Sequence, residues 1–122
     1  MIIIDTNVLV ASVNEEEEDH AKAKQALEKL SFSGEVQCIT YGVLVELSSV
    51  LSRKKGREFA SQYVSKAVVS FRILFPEELS GATDFFQENF RSLSLVDCEI
   101  ILASRQHGAK VLSFDKDLLK AL

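Results

Sequence analysis

The chain has 122 residues, 47% hydrophobic and 26% charged, the size and balance of one ordinary globular domain able to bury its own core. Fourteen Lys and Arg against eighteen Asp and Glu leave a net charge of −4, which excludes a uniformly basic nucleic-acid binder but leaves room for a local basic patch. Cys38 and Cys98 have no CxxC or zinc-type spacing, no apolar run approaches the roughly 20 residues of a membrane span, and the first four residues lack the basic flank of a signal peptide. A reduced, cytoplasmic setting without a membrane is therefore expected.

Taken in order, residues 1–4 are a β-branched run that predicts a strand buried on both sides. Residues 6–13 fit a short helix with Asp5 or Thr6 as its N-cap. Glu15, Glu16, Glu17 and Glu18 break the pattern and read as a solvated loop. Asp19 is expected to cap a second helix with Ala23, Ala26, Leu27 and Leu30 on its apolar face, ended by Ser33 and Gly34. A strand follows over 36–39. Thr40 opens a third helix carrying Val43, Leu44, Leu47, Val50 and Leu51, closed by Arg53, Lys54 and Lys55 in the last turn and Gly56 as the stop.

The remaining elements are a helix over 57–69, a strand over 71–75 ended by Pro76, helices over 81–90 and 94–107, a strand over 110–114 and a last helical turn over 115–122. The 57–69 helix carries Phe59, Tyr63, Val64, Ala67 and Val68, more apolar surface than one side of a small sheet should need, which predicts a homodimer or larger assembly. Strands alternating with helices predict a parallel sheet sandwiched by helices, in one domain over residues 1–122.

Working sites in open parallel sheets lie outside the carboxyl ends of the strands. Asp5 and Asp115 sit at two such ends, where each would also serve as a helix cap. Glu46 lies beside the apolar stripe of its helix, and an acid left unpaired there is costly. Asp97 belongs to Ser94-Leu95-Val96-Asp97, which has the form of a capping box. Taken together, four carboxylates converging on one sheet edge would raise one another's pKa unless a cation compensates. A hard divalent ion such as Mg²⁺ or Mn²⁺ is the usual solution, and it activates water against a phosphodiester.

These residues carry a resemblance. Asp5-Thr6-Asn7-Val8-Leu9 after Ile2-Ile3-Ile4, Val45-Glu46-Leu47, Leu95-Val96-Asp97-Cys98-Glu99 and Ser113-Phe114-Asp115-Lys116-Asp117 resemble, in order and spacing, the motifs of PIN-domain nucleases. Small single-domain members are often VapC-like toxins of toxin–antitoxin pairs. The resemblance implies a PIN-like three-layer α/β/α sandwich around a central parallel sheet of four or five strands. It implies Asp5, Glu46, Asp97 and Asp115 as catalytic, metal-binding acids for one or two ions, with Thr6, Asn7 and Ser113 supporting them. An endoribonuclease hydrolysing RNA to a 5′-phosphate and a 3′-hydroxyl follows, with a possible antitoxin as partner.

Arg53, Lys54, Lys55 and Arg57 form the dense basic cluster, either helix-dipole charge or phosphate contacts. Arg53, seven residues beyond Glu46, would share its helix face about 10 Å away. Two other classes stand beside the nuclease. The Asp5 motif superficially resembles the aspartate-nucleophile loop of haloacid-dehalogenase phosphatases, but Asn7 stands where that chemistry needs a second acid and has no proton to give. A catalytically silent PIN-fold RNA-binding or protein-interaction module would keep the fold without the cleavage.

Overall fold

The computed structural model describes residues 1–122, apart from the side chain of Leu79. The strands are β1 Ile2–Ile4, β2 Gln37–Thr40, β3 Arg72–Leu74 and β4 Lys110–Leu112, all parallel, in the sheet order β3-β2-β1-β4. The helices are α1 Thr6–Val13, α2 His20–Ser31, α3 Tyr41–Lys55, α4 Arg57–Ser70, α5 Leu79–Asn89, α6 Leu95–His107 and α7 Lys116–Ala121. From β1 the chain steps outward to β2 and β3, then returns to β4 on the far side of β1. Right-handed crossovers therefore place α1 to α4 on one face and α5 and α6 on the other. The contacts agree, since α1 packs on α2 and α3, α3 on α4, and α5 on α6. The result is the expected three-layer α/β/α sandwich, with four strands.

Ile3, Ile4 and Ile39 form the fully buried centre of the sheet, covered by Val8 and Leu9 of α1, Val43, Leu47 and Leu51 of α3, and Ile100 and Ile101 of α6. Each such side chain contributes about 1.5–3 kcal/mol of apolar burial. Local capping fixes where helices begin. The Thr40 hydroxyl accepts from the Val43 N–H at 3.1 Å, and Ser94 and Asp97 complete a reciprocal capping box. Gly56 and Gly108, at φ of +92° and +60°, end α3 and α6 in a backbone region where a Cβ would be strained.

Several details differ from expectation. The Asp19 side chain caps nothing, because its backbone (ψ 15°) is not the extended conformation that aims an N-cap side chain back at the helix. The strand over 110–114 stops at Leu112, because the Phe114 N–H turns to Asn7 Oδ1 at 3.4 Å instead of continuing the ladder. The apolar face of α4 is largely used within the chain. Ala60 and Ala67 are buried, and Phe59 and Tyr63 pack on the core, which leaves Val68 and Val69 as its exposed large apolar residues. Glu15, Glu16 and Glu18 are exposed in the turn that joins α1 to α2, as expected, but Glu17 is half-buried and its backbone is held on both sides within that turn. No helix is long and apolar enough to cross a membrane among the described residues.

Candidate active site

The strand order reverses between β1 and β4, and β1 ends at Asp5 while β4 runs on into Ser113, Phe114 and Asp115. The register Ile2↔Lys110, Ile3↔Val111, Ile4↔Leu112 brings Asp5 level with Ser113. The Asp5 N–H donates to the Leu112 carbonyl at 2.9 Å, which carries the pairing to the sheet edge. Asp5 is buried, and both of its carboxylate oxygens have partners: the Thr6 N–H donates to Oδ1 and the Ser113 hydroxyl to Oδ2, each at 2.7 Å. The same Ser113 Oγ accepts from the Asp115 N–H at 3.0 Å. One hydroxyl thus ties the first acid to the last.

Burial raises the Asp5 carboxyl to about 6 against the lowering pull of its two hydrogen bonds, and the charges of Asp97 and Glu46 push it the same way. Those two carboxylates therefore lie within electrostatic reach of Asp5. A single cleft of about 370 Å³ is lined by Asp5, Glu46, Asp97 and Asp115, together with Thr6, Asn7 and Ser94. All four predicted acids share it, although they come from four separate stretches of chain.

The acids are turned partly to their own helices. Asp115 Oδ1 accepts from the Asp117 and Leu118 N–H groups at 2.9 and 3.2 Å, and Asp97 Oδ2 accepts from the Ser94 N–H at 2.9 Å. Capping and site-lining are therefore combined in the same side chains. As they stand, no three acidic, histidine or cysteine side chains among the described residues close on one point tightly enough to hold a metal ion. Two observations nonetheless fit a hard cation. The donor set is all oxygen and acidic, and Thr6 Oγ1, in the cleft wall, is a buried polar atom without a hydrogen-bond partner.

The basic cluster disperses. Lys54 alone of the four reaches the cleft, where it pairs with Glu17, a fifth carboxylate of the lining. The Arg53 Nε turns back to the Ser49 carbonyl at 3.5 Å, the Lys55 ammonium lies 5.0 Å from the centre of the Phe59 ring, and Arg57 lines a separate groove beside α4. Glu46, Val50 and Lys54, spaced four apart, form the ridge of α3 that faces the cleft, so the cation is Lys54 and not Arg53. Another residue unforeseen from the motifs is Glu99. Its Oε1 accepts from the Gly42 N–H at 3.0 Å and so anchors the first turn of α3, the helix that carries Glu46.

The acid-lined cleft lies where the strand order of a parallel α/β sandwich reverses, the place where open sheets of this class bind their ligands. Residues 2–121 match the PIN domain family, and the chain belongs to it. The fold is similar to that of VapC20 from Mycobacterium tuberculosis, described as a sarcin–ricin loop cleaving toxin, at TM-score 0.82 and 20% identity over 99% of this chain and 95% of that one. It is also similar to a toxin–antitoxin complex from Klebsiella pneumoniae, at TM-score 0.66 and 20% identity over 96% and 89%. No curated protein matches the chain in sequence.

Proposed function

We propose that this protein is a divalent-metal-dependent endoribonuclease that hydrolyses RNA phosphodiester bonds, acting in the cytoplasm as the toxin of a toxin–antitoxin pair. The observation that carries the reading is the shared cleft, in which Asp5, Glu46, Asp97 and Asp115 meet where the strand order reverses. Membership of the PIN domain family and the likeness in fold to two structures from toxin systems support it.

In this reading the four acids hold one or two Mg²⁺ or Mn²⁺ ions, which when bound supply activated water and offset phosphodiester charge. The chain's own residues do the rest. Ser113 and the Thr6 N–H keep the Asp5 carboxylate in one orientation, and Ser113 couples it to the backbone of Asp115. Asn7 Oδ1 accepts from the Phe114 N–H and so fixes the segment that presents Asp115. Glu46 and Asp97 raise the negative potential around Asp5, which favours a cation over water there. Lys54, on the Glu46 ridge, meets a flanking phosphate. Pairing of two copies through the exposed Val68 and Val69 of α4 belongs to the same reading.

The test is cleavage of single-stranded and structured RNA by the purified protein with Mg²⁺ or Mn²⁺, with chelator and with Asp5→Asn. Metal-dependent cutting that Asp5→Asn abolishes upholds the reading. RNA binding without any cleavage would favour the silent binding module.

A further inference from the structure

One acid of the run after α1, Glu17, lines the cleft. Asn14, almost fully buried, ends α1 and organises the turn: its Oδ1 accepts from the Glu16 N–H at 3.2 Å and its carbonyl from the Glu17 N–H at 3.1 Å. The Glu17 carbonyl in turn accepts from the His20 N–H at 3.1 Å, and His20 Nδ1 lies 2.6 Å from the Ala11 carbonyl oxygen. Glu17 is thus the one acid of the run that a built turn directs into the cleft, while Glu15, Glu16 and Glu18 are exposed. Its carboxylate pairs directly with the Lys54 ammonium; Glu17 is half-buried and Lys54 is exposed at the cleft rim.

Lys54 is the only cation among the described residues that line the cleft. It stands eight residues beyond Glu46, about 12 Å along the helix axis, too far to serve the metal acids and suitably placed for a phosphate beside the one being cut. Its charge is already spent on Glu17. A phosphate that approaches the ammonium competes with a carboxylate and sits near its negative charge.

We propose that Glu17 restrains RNA binding at this cleft by holding Lys54 in an intramolecular ion pair that competes with an incoming phosphate. The inference rests on the nuclease reading and specifies how that site selects its substrate. RNA that contacts the cleft through its phosphates alone gains less from Lys54 and binds more weakly. RNA with further contacts bears the exchange. Glu17 is accordingly a specificity-determining residue, and removing it makes the protein bind and cut RNA less selectively.

The experiment measures kcat and KM for metal-dependent cleavage of a short fluorescent single-stranded RNA, with a salt series, on the intact protein. Glu17→Gln is expected to lower KM by about threefold or more at low salt, an advantage that fades as salt rises. Glu18→Gln makes the same change in net charge and should behave as wild type. Lys54→Gln should raise KM, and adding Glu17→Gln to it should change nothing more, because the restraint acts only through Lys54. Glu17→Asp, which keeps the charge but withdraws the carboxylate, should shift KM in the same direction by less. The proposal is overturned if Glu17→Gln matches Glu18→Gln, raises KM, or keeps its effect without Lys54. A wild type that cuts no RNA with either metal overturns the nuclease reading, and this inference with it.

Discussion

The Ser113 hydroxyl donates to Asp5 Oδ2 at 2.7 Å, across the seam where β1 and β4 end side by side. Ser113 is itself buried, so the bond is shielded from water and fixes the carboxylate that the site is built around. Ser113→Ala leaves that oxygen without its partner and should cost about 1–3 kcal/mol of stability by urea denaturation. It should also raise the Asp5 pKa further and weaken cleavage. Ser113→Thr keeps the hydroxyl and should restore both.

The raised pKa of Asp5 makes the metal-free protein sensitive to pH in an unusual direction. Between the ordinary carboxylate value of 3.8 and about 6, the folded chain binds a proton at Asp5 that the unfolded chain has already lost. Stability therefore falls as pH rises through that window, by at most about 3 kcal/mol from this group. Asp5→Asn should flatten this part of the profile and be at least as stable as wild type above pH ~6. A wild-type stability that climbs through the window by an amount Asp5→Asn removes would contradict the assignment.

Metal should raise the melting temperature of the wild type in Mg²⁺ or Mn²⁺, because an ion that binds only the folded cleft stabilises by mass action. At a hundredfold excess over Kd the gain is about 2.7 kcal/mol. Asp5→Asn and Glu46→Gln should each lose most of that increment, whereas Glu18→Gln should keep it. Differential scanning fluorimetry across a metal titration reads the outcome.

The last two acids should separate cleanly. Asp115 lines the cleft and caps α7, whereas Asp117 is exposed and contributes only its N–H to that cap. Asn caps helices nearly as well as Asp, so Asp115→Asn should stay folded and lose activity. Asp117→Asn should retain most of it. The opposite ranking in a cleavage assay would mean that the acid of the last motif is misassigned.

What was legible in the sequence was mainly local. The Thr40 helix start, the Ser94 and Asp97 capping box and the glycine stop at Gly56 each depend on a few consecutive residues, and all appear in the structure where the pattern puts them. The shared cleft of the four acids was legible because Asp5 and Asp115 follow strand ends, Asp97 opens a helix and Glu46 lies beside the apolar stripe of α3. Face and tilt were not. Arg53 and Lys54 differ by one position on α3, and it is Lys54, four residues beyond Val50 and eight beyond Glu46, that lies on the ridge lining the cleft, while Arg53 turns back to the Ser49 carbonyl. The α4 stripe similarly looked like surplus until Phe59 and Tyr63 packed against the core. Asp19 failed as a cap because the backbone of the preceding turn, set by Asn14, does not aim its side chain at the helix.

The double duty of Asp97 and Asp115 gives the cleft an internal reporter. Their carboxylates cover the amides of Ser94, Asp117 and Leu118. Whatever draws those oxygens toward the middle of the cleft uncovers these protons, at the first turns of α6 and α7. Amide hydrogen exchange at these three positions should therefore speed up when a divalent ion occupies the cleft, while the core amides of α3 slow with the overall gain in stability. Loosened helix starts over a tightened core would reveal occupancy in a sample containing no RNA at all.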